Sequence, residues 1–345
     1  MTHEFKKLIQ AYLSASKIGL KSVIATVVAL KGSSYRRPGV RMLLNSNGQM
    51  VGAVSGGCVE KEILKQSASV FTTGIPKMMT YDGRYKLGCE GLLYILIEPF
   101  DPGMEMMTSF EKTLKDKQDF EITSYFSKTV NSSESWGSTI SFADKKDYTF
   151  NKKVQNKIIT NGGLEQFIQK LEPCFKLIII GAEHDAVQLT QFASLLGWEV
   201  IVVTSPSDPQ NLGDFPGANK LLAISPESVD ISELNKNSAV VLMTHSYVKD
   251  LKFLNILKDS SPIYLGLLGP AKRRERLLNE FIESNPSVRE EFFDIIYGPT
   301  GLNIGAETPQ EISLSICSEI LSVIRKQVPK PLKDKVGKIH LNISL

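Results

Sequence analysis

Apolar positions along the chain change rhythm near its middle. At the start, Phe5, Leu8, Ile9, Tyr12 and Leu13 recur at helical spacing, which predicts an amphipathic first helix. Strand-like runs follow at SVIATVVAL (22–30), VRMLLN (40–45), QMVGAVS (49–55), KMMTYD (77–82) and LLYILIEP (92–99), with a helical VEKEILKQSASVF between the third and fourth. After residue 100 come a helix-like MEMMTSFEKTLKDKQ and two polar, Ser/Thr-rich strand candidates. The polar stretch from Asp144 to Gly163 reads as a boundary. This half is α+β in pattern.

From Phe175 the pattern alternates: FKLIIIG, then helical HDAVQLTQFASLLG, then WEVIVVT, followed by the strands KLLAIS, SAVVLM and PIYLGLLG. Continuous apolar strands between helices predict a parallel, doubly wound, Rossmann-like sheet covered on both faces. The fold class expected is therefore α/β, an N-terminal α+β domain (1–160) followed by a Rossmann-like domain (172–330) and a tail (331–345), with a linker near residues 150–172. In the last helix, TPQEISLSICSEILSVI, Thr308, Pro309 and Glu311 form a capping box. Cys317 falls among Ile312, Ile316, Ile320 and Leu321, which predicts a packed thiol.

Composition narrows the function classes. With 345 residues and 42% hydrophobic content the chain can bury a substantial core. A net charge of +3 gives no ground for a nucleic-acid partner, and no apolar run is long enough to span a bilayer. The four cysteines, Cys58, Cys89, Cys174 and Cys317, lie far apart without a CxxC pair. That predicts neither a zinc knuckle nor a disulfide scaffold and fits a reducing cytoplasm.

Candidate chemistry gathers in short segments. VSGGCVE (54–60) sets Cys58 behind Gly56 and Gly57 where a strand turns into a helix, and KLGCEG (86–91) brackets Cys89 with Gly88 and Gly91. Two readings stand for these thiols: small buried residues in tight turns, or groups flanking a pocket. KGSSYRRPGVR (31–41) crowds Arg36, Arg37 and Arg41 into a glycine- and proline-punctuated loop, which is either solvated or suited to a phosphate or carboxylate.

In the second half, GAEHDA (181–186) stands where a dinucleotide fingerprint would, but Glu183 replaces its second glycine. A carboxylate about 4 Å from a phosphate costs about 4 kcal/mol at an effective dielectric of 20. The next strand also ends in Thr204 and Ser205 without an acidic ribose ligand, so NAD(P) binding is doubtful. Thr244 and His245 end the fourth strand and are expected beside Gly181, Glu183 and His184 at the crevice, as a hydrogen-bonded cluster without chemistry or as a group that binds a metal or moves a proton. Lys272, Arg273 and Arg274 occupy the first turn of a predicted helix, against the macrodipole, which invites an anionic ligand or an acidic partner.

The segments VSGGCVE, GSSYRRPG, LGCEG, LMTHSYVKD, YLGLLGPAKRRERL and GPTGLNIGAETPQEI together resemble the XdhC/CoxI family of xanthine dehydrogenase accessory proteins, nearly end to end. The resemblance implies a cytoplasmic, often dimeric chaperone rather than a catalyst. Such a protein binds molybdenum cofactor (molybdopterin), protects it while a cysteine desulfurase supplies its terminal sulfur, and hands it to a xanthine dehydrogenase-type molybdenum hydroxylase. Carried over by position, it implies a cofactor pocket of Ser55, Gly56, Gly57, Cys58 and Glu60, with Gly88 and Cys89 as a second wall. Arg36, Arg37 and Arg41 would meet the pterin phosphate, and no metal site is implied. Members usually read GAGHVG or GAGHVA and LGCGG where this chain has GAEHDA and LGCEG. The alternatives are an NAD(P)-binding Rossmann oxidoreductase and a scaffold that docks a hydroxylase to a sulfur donor.

Overall fold

The computed structural model describes residues 1–32, 37–82, 91–154, 163–208 and 210–336. It divides between Pro173 and Cys174 into two units.

The first unit opens with α1 (Thr2–Lys17), then β1 (Ser22–Gly32), β2 (Arg41–Asn45), β3 (Met50–Gly52), α2 (Gly57–Thr73), β4 (Lys77–Asp82) and β5 (Gly91–Pro99). The five strands form an antiparallel sheet in the order β3-β2-β1-β5-β4. Alternation along β1 and β5 gives the sheet two buried faces. On one, Val59, Ile63 and Val70 of α2 pack on Ala25, Val27, Ile95 and Ile97.

The other face meets a second layer made of α3 (Met104–Lys115), β6 (Phe120–Phe126), β7 (Gly137–Ser141), β8 (Asp147–Thr149) and β9 (Glu165–Leu171). These strands form an antiparallel sheet in the order β8-β7-β6-β9. Phe5, Leu8 and Tyr12 of α1 share a core with Ile24, Leu43, Phe110, Phe120 and Ile122.

The strand β9 corrects the expected linker. Residues 165–171 pair with β6 through seven positions, from Phe120 opposite Leu171 to Phe126 opposite Glu165. They are too polar to look like a strand because most of β9 is exposed, with only Gln169 and Leu171 buried.

The second unit contains β10 (Lys176–Ile180), α4 (His184–Leu195), β11 (Glu199–Thr204), β12 (Lys220–Ala223), β13 (Ser238–Leu242), α5 (Tyr247–Leu257), β14 (Tyr264–Leu267), α6 (Ala271–Ser284), α7 (Glu291–Asp294), β15 (Ile296–Tyr297) and α8 (Pro309–Ile324). All six strands run parallel in the order β12-β11-β10-β13-β14-β15, the doubly wound topology with its switch point between β10 and β13. One face of the sheet is covered by α4 and α8 through Ala186, Leu189, Ile316 and Ile320. The other is covered by α5 and α6 through Phe253, Leu254, Leu257, Leu277 and Phe281. Cys317 is 3% exposed in the first of these layers, and burial pushes its thiol up to about 12. Residues 331–336 add one short turn.

Candidate functional site

Strand direction brings the sequence-selected loops together. β1 ends at Gly32 opposite the first residue of β5, Gly91; β4 ends at Asp82 opposite Leu92; and β3 ends at Gly52 opposite Met42 near the start of β2. The arginine loop, the GGC turn and the loop before β5 therefore all leave the same end of the first sheet. Arg36, Gly88 and Cys89 lie outside the described residues. Arg37 is exposed at that end.

The GGC turn is held from below. Val54 and Val59 are fully buried against the sheet, which fixes the entry and first turn of α2. Ser55 and Glu60 are half-buried beside them, and Cys58 is exposed. Gly56 occupies the N-cap with ordinary extended angles (φ −87°, ψ 161°), so the first amides of α2 receive no side-chain cap. A Cβ built on Gly56 or on Gly57 would meet nothing within 4 Å. Neither left-handed backbone nor internal crowding accounts for two glycines here, and what their absent side chains leave clear is space on the solvent side.

One residue of this site was missed in the sequence. Tyr81, on β4, is 5% exposed, and its hydroxyl finds no hydrogen-bond partner among the described residues. Burial pushes it up, with smaller contributions from Cys58 and Glu62, which puts the phenol on the Cys58 side of the sheet. The signal was the alternation in KMMTYD, which turns Met79 and Tyr81 to the same face as α2.

Arg41 is a correction. Its side chain does not reach the loop end for an anion; it is 8% exposed between the two sheets of the first unit. Nη1 donates to Gly39 O at 3.0 Å and to Gln169 Oε1 at 2.5 Å, and the guanidinium lies 5.9 Å from the Phe5 ring centroid. Desolvation lowers it to about 10, partly offset by Glu98. The reason is register: Arg41 pairs with Thr26 in the middle of β1, on the inward face.

At the crevice of the second unit, Gly181 is required by packing. It has φ +147°, and a Cβ there would stand 2.3 Å from Met243 O. Glu183 is the exposed N-cap of α4 and makes no side-chain cap bond, and the exposed His184 opens the helix. His245 differs from expectation in its partner: Nε2 lies 3.3 Å from Asp185 Oδ2, one residue beyond His184. It takes φ +54°, a left-handed conformation uncommon for non-glycine residues but one that histidine adopts more readily than most. Behind it Asp250, buried, accepts from Thr244 Oγ1 at 2.6 Å and from Arg273 Nη1 at 2.9 Å. That bond gives one basic residue of the α6 first turn an internal role. Among the described residues no three His, Cys, Asp or Glu side chains gather to hold a metal ion. No described helix is long and apolar enough to cross a membrane.

Comparison with known proteins matches residues 17–82 to the XdhC and CoxI family and residues 177–320 to the XdhC Rossmann domain. A protein of Bacillus subtilis (strain 168) described as a probable xanthine dehydrogenase subunit is 30% identical over 89% of this chain and 94% of its own length. The molybdenum cofactor insertion chaperone PaoD of Escherichia coli (strain K12) is 21% identical over 94% of this chain and 90% of its own. A crystal structure of a xanthine dehydrogenase from Bacillus halodurans has a similar fold over 93% of this chain and 96% of that one, with a TM-score of 0.74 at 25% identity. With both halves matched in order and a near full-length relative at 30% identity, the chain belongs to the XdhC and CoxI family.

Proposed function

We propose that this protein is an accessory factor in molybdenum-enzyme maturation. It binds molybdenum cofactor as cargo at the loop end of the first sheet and delivers it to a xanthine dehydrogenase-type enzyme, after a cysteine desulfurase has supplied the terminal sulfur. We place it in the cytoplasm, as a homodimer. The observation that carries this reading is the open space at Gly56 and Gly57 beside the exposed Cys58. The chaperone name of one near full-length relative supports the choice of cargo.

The residues present fit such a cargo. Molybdopterin brings an anionic phosphate and a soft dithiolene-bound metal centre. Uncapped amides at the start of α2 favour negative charge, and the Cys58 thiol is a soft ligand type. The absence of side chains at Gly56 and Gly57 lets a large planar group approach the backbone. Loading would be steered by Arg37 and held by the α2 amides and Cys58.

Molybdenum and pterin analysis of the protein from a cofactor-competent host tests this. Cys58→Ala is expected to lower the bound cofactor at least severalfold, whereas Cys317→Ala leaves it unchanged per folded molecule. Equal retention in the two variants would remove Cys58 from the site.

A further inference from the structure

The second unit has a cleft of its own, about 210 Å³ in volume, at the C-terminal ends of β10, β11 and β13. Thr204 lines it at the tip of β11, and Glu183 and the exposed Lys249 and Lys252 of α5 also border it. Thr204 is 4% exposed, and its Oγ1 has no hydrogen-bond partner among the described residues. A buried hydroxyl left without a partner is uncommon, because it forgoes the water it had in the unfolded chain. The fold gives the position a meaning: in dinucleotide-binding doubly wound sheets an acidic residue about 20 positions after the first turn, at the tip of the second strand, holds a ribose hydroxyl, and here a neutral hydroxyl replaces that carboxylate. Thr204 stands there relative to Gly181. Ser205 and Ser225 add hydroxyls along the same wall.

Charge decides how such a ligand lies. Glu183 at the start of α4 opposes a pyrophosphate on that helix, where a dinucleotide would place it. The cations are on the opposite wall, on α5, while the loop after β11 adds the exposed Asp208 to the rim. The cleft is also below the roughly 300–1,000 Å³ of pockets that enclose drug-sized ligands. We propose that this cleft binds a ribonucleoside monophosphate, with its ribose hydroxyls on Thr204 and its single phosphate toward Lys249 and Lys252. The inference is independent of molybdenum cofactor binding in the first unit.

Calorimetry on the full chain, with AMP, GMP, CMP and UMP as probes, tests it. At least one should bind, and its 2′,3′-dideoxy analogue should bind about fivefold more weakly or worse. Thr204→Val, which keeps the shape, should abolish that discrimination. Lys249→Gln with Lys252→Gln should weaken the nucleotide roughly tenfold, and inorganic phosphate should bind more weakly than the nucleotide. The proposal is overturned if no monophosphate binds by about 10 mM. It is equally overturned if the unaltered protein fails to distinguish the dideoxy analogue, or if phosphate alone binds as well as the nucleotide. The analogue comparison uses unaltered protein, so the result stands even if a variant folds poorly.

Discussion

A methyl group added at Gly57 and one added at Gly181 should have opposite effects. At Gly57 it enters open space on the first residue of a helix, so Gly57→Ala should leave stability unchanged or raise it by up to about 1 kcal/mol, while cofactor retention falls because the cargo loses its approach. At Gly181 the methyl meets Met243 O at 2.3 Å on a left-handed backbone, and Gly181→Ala should cost about 3 kcal/mol or more. Thermal unfolding together with molybdenum content separates the two. Sequence alone pointed to both glycines but did not distinguish their reasons, since one serves internal packing and the other keeps the exterior clear. Cys317 was readable as core from its helical neighbours. Tyr81 was not readable as part of a site, because its neighbour across the α2 face is set by tertiary packing.

Among the elements, β5 carries a residue that its pattern hides. LLYILIEP reads as an apolar strand with a polar end, yet Glu98 is fully enclosed between the sheets and accepts from Ser138 N at 2.8 Å and Ser138 Oγ at 2.6 Å. Burial raises it to about 7, against the opposing pull of those two bonds and of Arg41. Below the unfolded value of 4.5 both states hold the proton and stability does not change. Between there and about 7 only the unfolded state releases it, so stability should fall with rising pH by about 3 kcal/mol and then level off. Urea unfolding followed through Trp136 in a Trp198→Phe background should show this slope, and Glu98→Gln should remove it. The N-terminus of α8 is the contrary case, written plainly in sequence. Thr308 accepts from Glu311 N, and Glu311 accepts from Thr308 N and Glu307 N. Thr308→Ala should lower stability by about 1 kcal/mol.

For the whole molecule, the second unit was legible because parallel strands are buried on both sides and therefore apolar throughout, as KLIII and SAVVL show. The outer layer of the first unit was legible only in part. Its strands have one wet face, and β9 follows a long polar stretch, so the end of that unit was expected some thirteen residues early (160 against Pro173). A chain truncated after Pro173 should keep β9 on β6 and the Gln169 bond to Arg41. One ending at 160 should lose both and expose the β6 edge. Circular dichroism and cofactor retention of the two truncated chains check this, and a well-folded shorter chain would show β9 to be dispensable.

Because α2 covers one face of the five-stranded sheet and the second sheet covers the other, a cargo held at the loop end, as proposed, would be met from beyond the strand ends and not across a sheet face. Entry and exit would then both run past the exposed Cys58 and Arg37. On that reading a recipient enzyme would approach along the strand direction, with its own opening facing the arginine loop and the start of α2.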